Sequence, residues 1–225
     1  MYPLTIVDNF YKDPYKIREF ALSQNFHQTG PWPGLRTDQF VKIHPEFFLE
    51  FAKKTLSILF NLDYEQIYWN FNSTFQLCGK EFEEGWVHAD WDGETPTGPK
   101  FAGVIYLTPD APLSGGTSVY TLKDNEIFDY HTMDWTLKDE FYNNRLSCSL
   151  EEYRIQRSLH NNKFLKTVDV NNVFNRLVLY NTTDFHKENI LFGNTTDNSR
   201  LTQVFFVHLD CDSHPLQRMS KKSKI

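Results

Sequence analysis

The segment YWNFNSTFQLC (68–78) alternates strictly. Trp69, Phe71, Ser73, Phe75 and Leu77 fall on one face, and Tyr68, Asn70, Asn72, Thr74 and Gln76 on the other. Successive side chains of a strand point to opposite faces, so this period predicts a strand with one apolar and one polar face. A face carrying two Asn and a Gln either meets water or lines a polar cavity. FAGVIYLT (101–108), TSVYTL (117–122), RLVLYNT (176–182) and RLTQVFFVHL (200–209) read as further strands, and LTIVDNF near the start as a short one. Asp13-Pro14 predicts a helix through about Ser23, with Asp as N-cap and Pro at the first helical position. Phe48, Phe51, Ala52, Leu56 and Leu59 recur near helical spacing and predict an amphipathic helix from Pro45 to Leu59. Between the two helices, TGPWPG marks a rigid, turn-rich loop. The charged stretch from about Asn125 to Phe164, with SLEEYRIQRSLHNNKF, predicts one or two helices inserted between strands.

Short strands, helices ahead of them and one helical insert predict a mainly β fold with flanking helices, a barrel or a sandwich such as a jelly roll. With neither an internal repeat nor a low-complexity linker, the 225 residues read as one domain, its core at about 68–209 and its insert at about 123–172. The 20 Phe and 11 Tyr favour a sheet-built core. A net charge of −6 argues against a nucleic-acid partner, which needs a basic stripe. No run approaches the roughly 18 apolar residues that span a bilayer, and MYPLTIVDNFYKDPY lacks the basic and apolar regions of a signal peptide. Cys78, Cys148 and Cys211 are dispersed and odd in number, with no C-x-x-C pattern, which suits a reducing cytoplasm rather than a disulfide framework. The tail MSKKSKI reads as a short basic end.

The candidate chemistry centres on Val87-His88-Ala89-Asp90. In an extended chain residues i and i+2 share a side, so the imidazole and the carboxylate reach one ion together. A third ligand from a distant strand completes the two-His-one-carboxylate face of non-haem Fe(II) sites, which leaves three positions open. Alone, H-x-D is a weak signal that occurs often by chance, and it reads more readily as a surface His and Asp next to a turn. Three histidines further along could supply the third ligand: His160, which reads as solvent-facing on the inserted helix, His186, in a loop just beyond NRLVLY, and His208, which reads as an ordinary residue of the last strand.

The residues downstream of H-x-D narrow the reading. Tyr106-Leu107, Gly115-Gly116-Thr117, His186, and then Arg200 with Thr202 occur in an order that resembles the prolyl-4-hydroxylase-like branch of the 2-oxoglutarate/Fe(II) oxygenases, over roughly residues 70–209. The resemblance implies a double-stranded β-helix (a jelly roll, cupin-like), Fe(II) held by His88, Asp90 and His186, and 2-oxoglutarate and O2 as cosubstrates. It implies that Arg200 pairs with the distal carboxylate of 2-oxoglutarate, with Thr202 and Tyr106 assisting. A guanidinium suits that task because its planar fork takes a carboxylate bidentately. One of Asn70, Asn72 and Gln76 would supply a further cosubstrate contact. Halogenases of the superfamily carry a small residue in place of the carboxylate, so Asp90 implies hydroxylation or another oxidation without halide.

The chain departs from the pattern in three places. The spacing from His186 to Arg200 is long, so LFGNTTDNS must loop out. The 123–172 connection is long, and a strand tyrosine before H-x-D has no equivalent. These features resemble a phage- and bacteria-associated subgroup more than collagen-type prolyl hydroxylases, and imply a host cytoplasm if the chain is phage-encoded. A small-molecule or peptidyl substrate is expected, with Trp32, Trp86, Trp91, Asp92 and Trp135 as candidate cleft residues and the insert as a lid. Two rival readings stand beside this one: a cupin-like metalloenzyme that does not use 2-oxoglutarate, and a non-catalytic structural or binding protein on the same fold.

Overall fold

The computed structural model describes residues 4–28, 30–90, 100–124, 126–127 and 134–210. Trp91, Asp92, Cys211 and the basic C-terminal end therefore lie outside the described residues. In chain order the strands are β1 (Thr5–Val7), β2 (Leu35–Arg36), β3 (Tyr68–Cys78), β4 (Lys100–Tyr106), β5 (Thr117–Leu122), β6 (Phe164–Val170), β7 (Leu177–Asn181), β8 (Phe185–Glu188) and β9 (Arg200–Asp210). The helices are α1 (Pro14–Leu22), α2 (Phe40–Ile43), α3 (Pro45–Leu59), α4 (Thr136–Tyr142) and α5 (Leu150–Asn161). One antiparallel sheet runs β1-β7-β4-β9-β3-β2, and a second runs β6-β5-β8. This is the two-sheet jelly roll with flanking helices that the strand pattern predicts.

The two-faced pattern of β3 explains how the layers form. Its apolar side turns outward to the helices, where Phe71 and Phe75 join Phe48, Phe51, Ala52 and Leu56 of α3 and Phe205 of β9 in the main core. The Phe51 ring sits 5.3 Å from that of Phe71 and 5.5 Å from that of Phe205. Each such burial contributes about 1.5–3 kcal/mol, so α3 is held by its aromatic stripe rather than by helix propensity. The α1 helix starts as its sequence predicts, with the Asp13 carboxylate accepting from the Lys16 N–H at 3.3 Å and Pro14 in the first turn. Its buried Arg18 donates to the carbonyls of Leu107 (2.9 Å) and Asp197 (2.6 Å), which ties the helix to the segment ahead of β9. Gly103 lets β4 lie under a core ring: a Cβ there would fall 2.5 Å from Phe205 Cζ and 2.4 Å from the Val178 carbonyl oxygen.

The opposite side of the large sheet faces the small sheet and carries the polar row. Register places Arg36 opposite Gln76, Gln76 opposite Thr202, and Thr202 opposite Tyr106, so four polar side chains line up across four strands on one face. Further along, Val104, Tyr180 and Val204 pack between the sheets as a second apolar cluster.

Three expectations are corrected by the structure. The 123–172 segment is not helical throughout, because β6 belongs to the small sheet. Only its ends, Phe164 and Val170, are buried and LKTVD between them is exposed, so this edge strand lacks the apolar signal that marks the others. His186 lies in a strand rather than a loop. FHKE is too short and polar to read as one, and it exists because β5 pairs with it. His160 is buried rather than solvent-facing, at 5% exposure, against Trp86, Trp135 and Phe164.

Candidate metal centre

His88 and His186 meet across an isolated antiparallel bridge, each backbone N–H donating to the other's carbonyl at 3.0 and 2.8 Å. Asp90 follows two residues after His88 on the same side. The Asp90 carboxylate lies 3.3 Å from His186 Nε2 and 3.7 Å from His88 Nε2. One potential ligand atom from each of the three residues falls within 4.8 Å of the other two. Both rings are oriented from behind: His88 Nδ1 donates to the Trp86 carbonyl at 2.8 Å and His186 Nδ1 to that of Asp184 at 2.9 Å. Each hydrogen bond fixes the tautomer whose Nε2 lone pair points at the shared space.

Burial, reinforced by the neighbouring His186, pushes His88 down to about 4, so its ring is neutral near pH 7. Burial alone would raise the Asp90 carboxyl, but the two imidazoles outweigh it and hold the group down at about 2. Burial disfavours the imidazolium of His186, while Asp90 more than compensates and raises it. Two nitrogen donors and one ionised oxygen suit a divalent transition metal such as Fe(II).

The segment before His88 is held by α5. The Val87 N–H donates to Asn161 Oδ1 at 2.8 Å, and the Asn161 amide donates to the Gly85 carbonyl at 3.1 Å. His160 Nε2 donates to the Val87 carbonyl at 2.6 Å, Trp86 Nε1 to the Tyr153 hydroxyl at 2.9 Å, and Arg157 to Glu83 at 2.7 Å. Ser149 caps this helix by accepting from the Glu152 N–H. The insert therefore positions the candidate ligands. Trp86 and Trp135 pack on His160, and among the described residues Trp32 is the tryptophan that lines the cavity.

Behind the triad, Arg200, Thr202 and Tyr106 are brought together and are almost fully buried. The Arg200 guanidinium lies 5.5 Å from the Tyr106 ring, and its Nε donates to the Gly115 carbonyl at 3.1 Å. Tyr106 donates to Thr117 Oγ1 at 2.9 Å. Thr202 Oγ1 is buried without a hydrogen-bond partner, an unusual state for a hydroxyl and one that an added acceptor would relieve. The three candidates on β3 separate. Asn72 lines a cavity of about 650 Å³ that opens onto His88 and Asp90. Gln76 is buried, donating to the Pro33 carbonyl at 2.7 Å and accepting from Arg36 at 3.2 Å. Asn70 is exposed and outside the site, because β3 extends past the cavity there to pair with the exposed His208.

Residue patterns alone missed Glu188, Arg36 and Lys138, which line the cavity, and Tyr180, which packs on His186. Glu188 stands two residues after His186 on β8 and so faces the same side; recognising FHKE as a strand would have revealed it. Burial would raise the Glu188 carboxyl, but His88, Arg200 and His186 outweigh it and hold the group below its ordinary value. The Tyr180 ring lies 4.3 Å from that of His186. Arg36 and Lys138 reach the cavity from β2 and α4, and no motif marks either. The thiol of Cys78 is no nucleophile: burial pushes it up to about 12. No described helix is long and apolar enough to cross a membrane.

This architecture recurs in solved structures. HygX from Streptomyces hygroscopicus, with nickel, 2-oxoglutarate and hygromycin B bound, superposes with a TM-score of 0.55 at 11% identity, over 91% of this chain and 82% of that one. EvdO2 from Micromonospora carbonacea var. aurantiaca gives 0.56 at 13% identity, over 94% and 87%. SnoN, a non-haem alpha-ketoglutarate-dependent epimerase from nogalamycin biosynthesis, gives 0.53 at 11% identity, over 91% and 78%. The fold is the double-stranded β-helix of the 2-oxoglutarate/Fe(II)-dependent oxygenases. The chain itself belongs to DUF6445, a family of unknown function, which it matches over residues 1–207. No curated protein matches the sequence.

Proposed function

We propose that the protein is a 2-oxoglutarate-dependent non-haem Fe(II) oxygenase that hydroxylates a small-molecule or peptidyl substrate. The observation that carries this reading is the convergence of His88, Asp90 and His186, with both Nε2 lone pairs freed by hydrogen bonds on Nδ1. Two imidazoles and one carboxylate would hold Fe(II) and leave three positions open. With the metal bound, 2-oxoglutarate and O2 would be converted to succinate and CO2 as one oxygen atom enters the substrate.

The chain's own groups divide the remaining work. Arg200, deep between the sheets, would hold the distal carboxylate of 2-oxoglutarate through its planar fork. The Thr202 hydroxyl would gain the acceptor it lacks, and Tyr106 would turn its O–H from Thr117 Oγ1 to the same carboxylate. Val204 and Phe206 continue along β9 from Thr202 into the cavity wall, where their apolar side chains keep water from the reacting atoms. The deciding experiment measures succinate formed from 2-oxoglutarate. It should require Fe(II) and fall at least about 100-fold in Asp90→Ala, given the cost of losing a ligand. Succinate formation that is unchanged in Asp90→Ala would refute the assignment.

Glu188 favours a second reading. A half-buried carboxylate in the cavity, held ionised in part by the charge of Arg200, suits a metalloenzyme that does not use 2-oxoglutarate. Metal binding without any 2-oxoglutarate binding would select that reading.

A further inference from the structure

We propose that Arg36 and Lys138 form a carboxylate-binding subsite beside the metal centre, so that the molecule oxidised is a small carboxylic acid or the C-terminal carboxylate of a peptide. The proposal deepens the oxygenase reading above and rests on it.

Arg36 is held in place without its charge being met. β2 pairs with β3, and Arg36 Nη2 donates to Gln76 Oε1 at 3.2 Å. The guanidinium stacks on Trp32, 4.2 Å from the ring centre. Its Nε is buried with no acceptor, and among the described residues no carboxylate forms an ion pair with it. Lys138 reaches the same cavity from α4, with its ammonium 4.7 Å from the Trp135 ring and no ion pair among the described residues. Both cations face Asp90 and Glu188 electrostatically without touching either. Burial disfavours the charge on each, a cost that a bound anion would offset.

A charge balance points to the ligand. Asp90 offsets one of the two charges of a divalent metal, and Arg200 and the remaining metal charge meet the two carboxylates of 2-oxoglutarate. Glu188 then offsets one of Arg36 and Lys138, and Asp38 and Lys42, which line the same cavity, offset each other, so among the described residues one positive charge is left for one further anionic group. A planar carboxylate matches the planar fork of Arg36, whose guanidinium stacks on Trp32 and whose Nη2 is engaged by Gln76. The cavity, at about 650 Å³, is in the range of small-molecule sites.

The test uses the full chain loaded with Ni(II) and 2-oxoglutarate, in thermal-shift and calorimetric titrations. The probes are the standard L-amino acids and a set of tripeptides, each as the free acid and as the primary amide. At least one acid should bind about tenfold or more tighter than its amide, the scale of a charge-assisted hydrogen bond. That preference should vanish in Arg36→Gln and Lys138→Gln and return in part in Arg36→Lys, while 2-oxoglutarate still stabilises every variant. Acids binding without tripeptides assign a free metabolite, and tripeptides binding without amino acids assign a peptide terminus. The subsite is overturned if no acid outbinds its amide, if the preference survives in the double variant, or if Arg36→Gln abolishes 2-oxoglutarate binding and so marks Arg36 as a cosubstrate contact. A wild type that binds neither Ni(II) nor 2-oxoglutarate overturns the oxygenase reading, and this subsite with it.

Discussion

Asn161→Ala isolates the dependence of the metal centre on a helix that contributes no ligand. The Asn161 side chain accepts from the Val87 N–H at 2.8 Å and donates to the Gly85 carbonyl at 3.1 Å. Val87 is fully buried and stands next to His88. Truncation leaves that N–H without its partner, which costs about 1–3 kcal/mol, and removes a second bond with a net worth of about 0.5–1.5 kcal/mol. Asn161 is half-buried, so water will recover part of this, and the expected loss is about 2 kcal/mol. At roughly 2–4 °C per kcal/mol for a domain of this size, Tm should fall by about 4–8 °C. The second expected effect is functional. His88 is aimed by the Trp86 carbonyl in the same segment, so loosening it should weaken metal binding about tenfold, the lower end of losses seen when groups behind ligands are removed. Urea unfolding and Ni(II) calorimetry read the two effects separately. A variant within about 0.5 kcal/mol of wild type, with unchanged metal affinity, would refute the claim that α5 holds the ligand segment.

Further substitutions probe other parts of the molecule. Thr202→Val removes a buried hydroxyl that has no partner, so stability should hold or rise. The affinity for 2-oxoglutarate should meanwhile fall about 10–100-fold, read by calorimetry on the Ni(II)-loaded protein. Gly103→Ala drives a methyl group against Phe205 and the Val178 carbonyl, and chemical denaturation should show a loss of about 1–3 kcal/mol. Glu83 hydrogen-bonds Arg154 and Arg157, and these bonds outweigh burial and hold its carboxyl below the ordinary 4.5. A depressed folded-state value means stability that is present above 4.5 and lost as pH falls through the folded value. Wild type should therefore exceed Glu83→Gln in stability at pH 7, and the gap should close as pH falls from 4.5 through the lowered folded-state value, as followed by urea midpoints across pH.

How much of the fold was legible in the sequence depends on the strength of local patterns. Pro45–Leu59 and Tyr68–Cys78 match their predicted spans because an aromatic stripe and an eleven-residue alternation each carry their own period. His88 and Asp90 were legible as a pair because i and i+2 geometry is local. β6 and β8 were not, since each owes its conformation to its pairing with β5, and LKTVD and FHKE show no apolar face. Missing β8 hid Glu188, which needs only the two-residue period once His186 is placed in a strand. Arg36 and Lys138 could not be found from spacing, because about a hundred residues of chain separate two cations that folding brings to one cavity. Tyr106, Thr202 and Arg200 were found together through the order of motifs, and strand register shows why that order works: Tyr106 and Thr202 are direct cross-strand neighbours.

The central claim is that His88, Asp90 and His186 together hold Fe(II), to which 2-oxoglutarate then adds. Anaerobic titration of the purified chain with Fe(II) and then 2-oxoglutarate tests it most directly, by tracking the visible metal-to-ligand charge-transfer band. The band should appear in wild type, saturate at one equivalent of Fe(II), and be absent in His88→Ala and His186→Ala. No band in wild type, or a band that persists in His88→Ala, would contradict the claim.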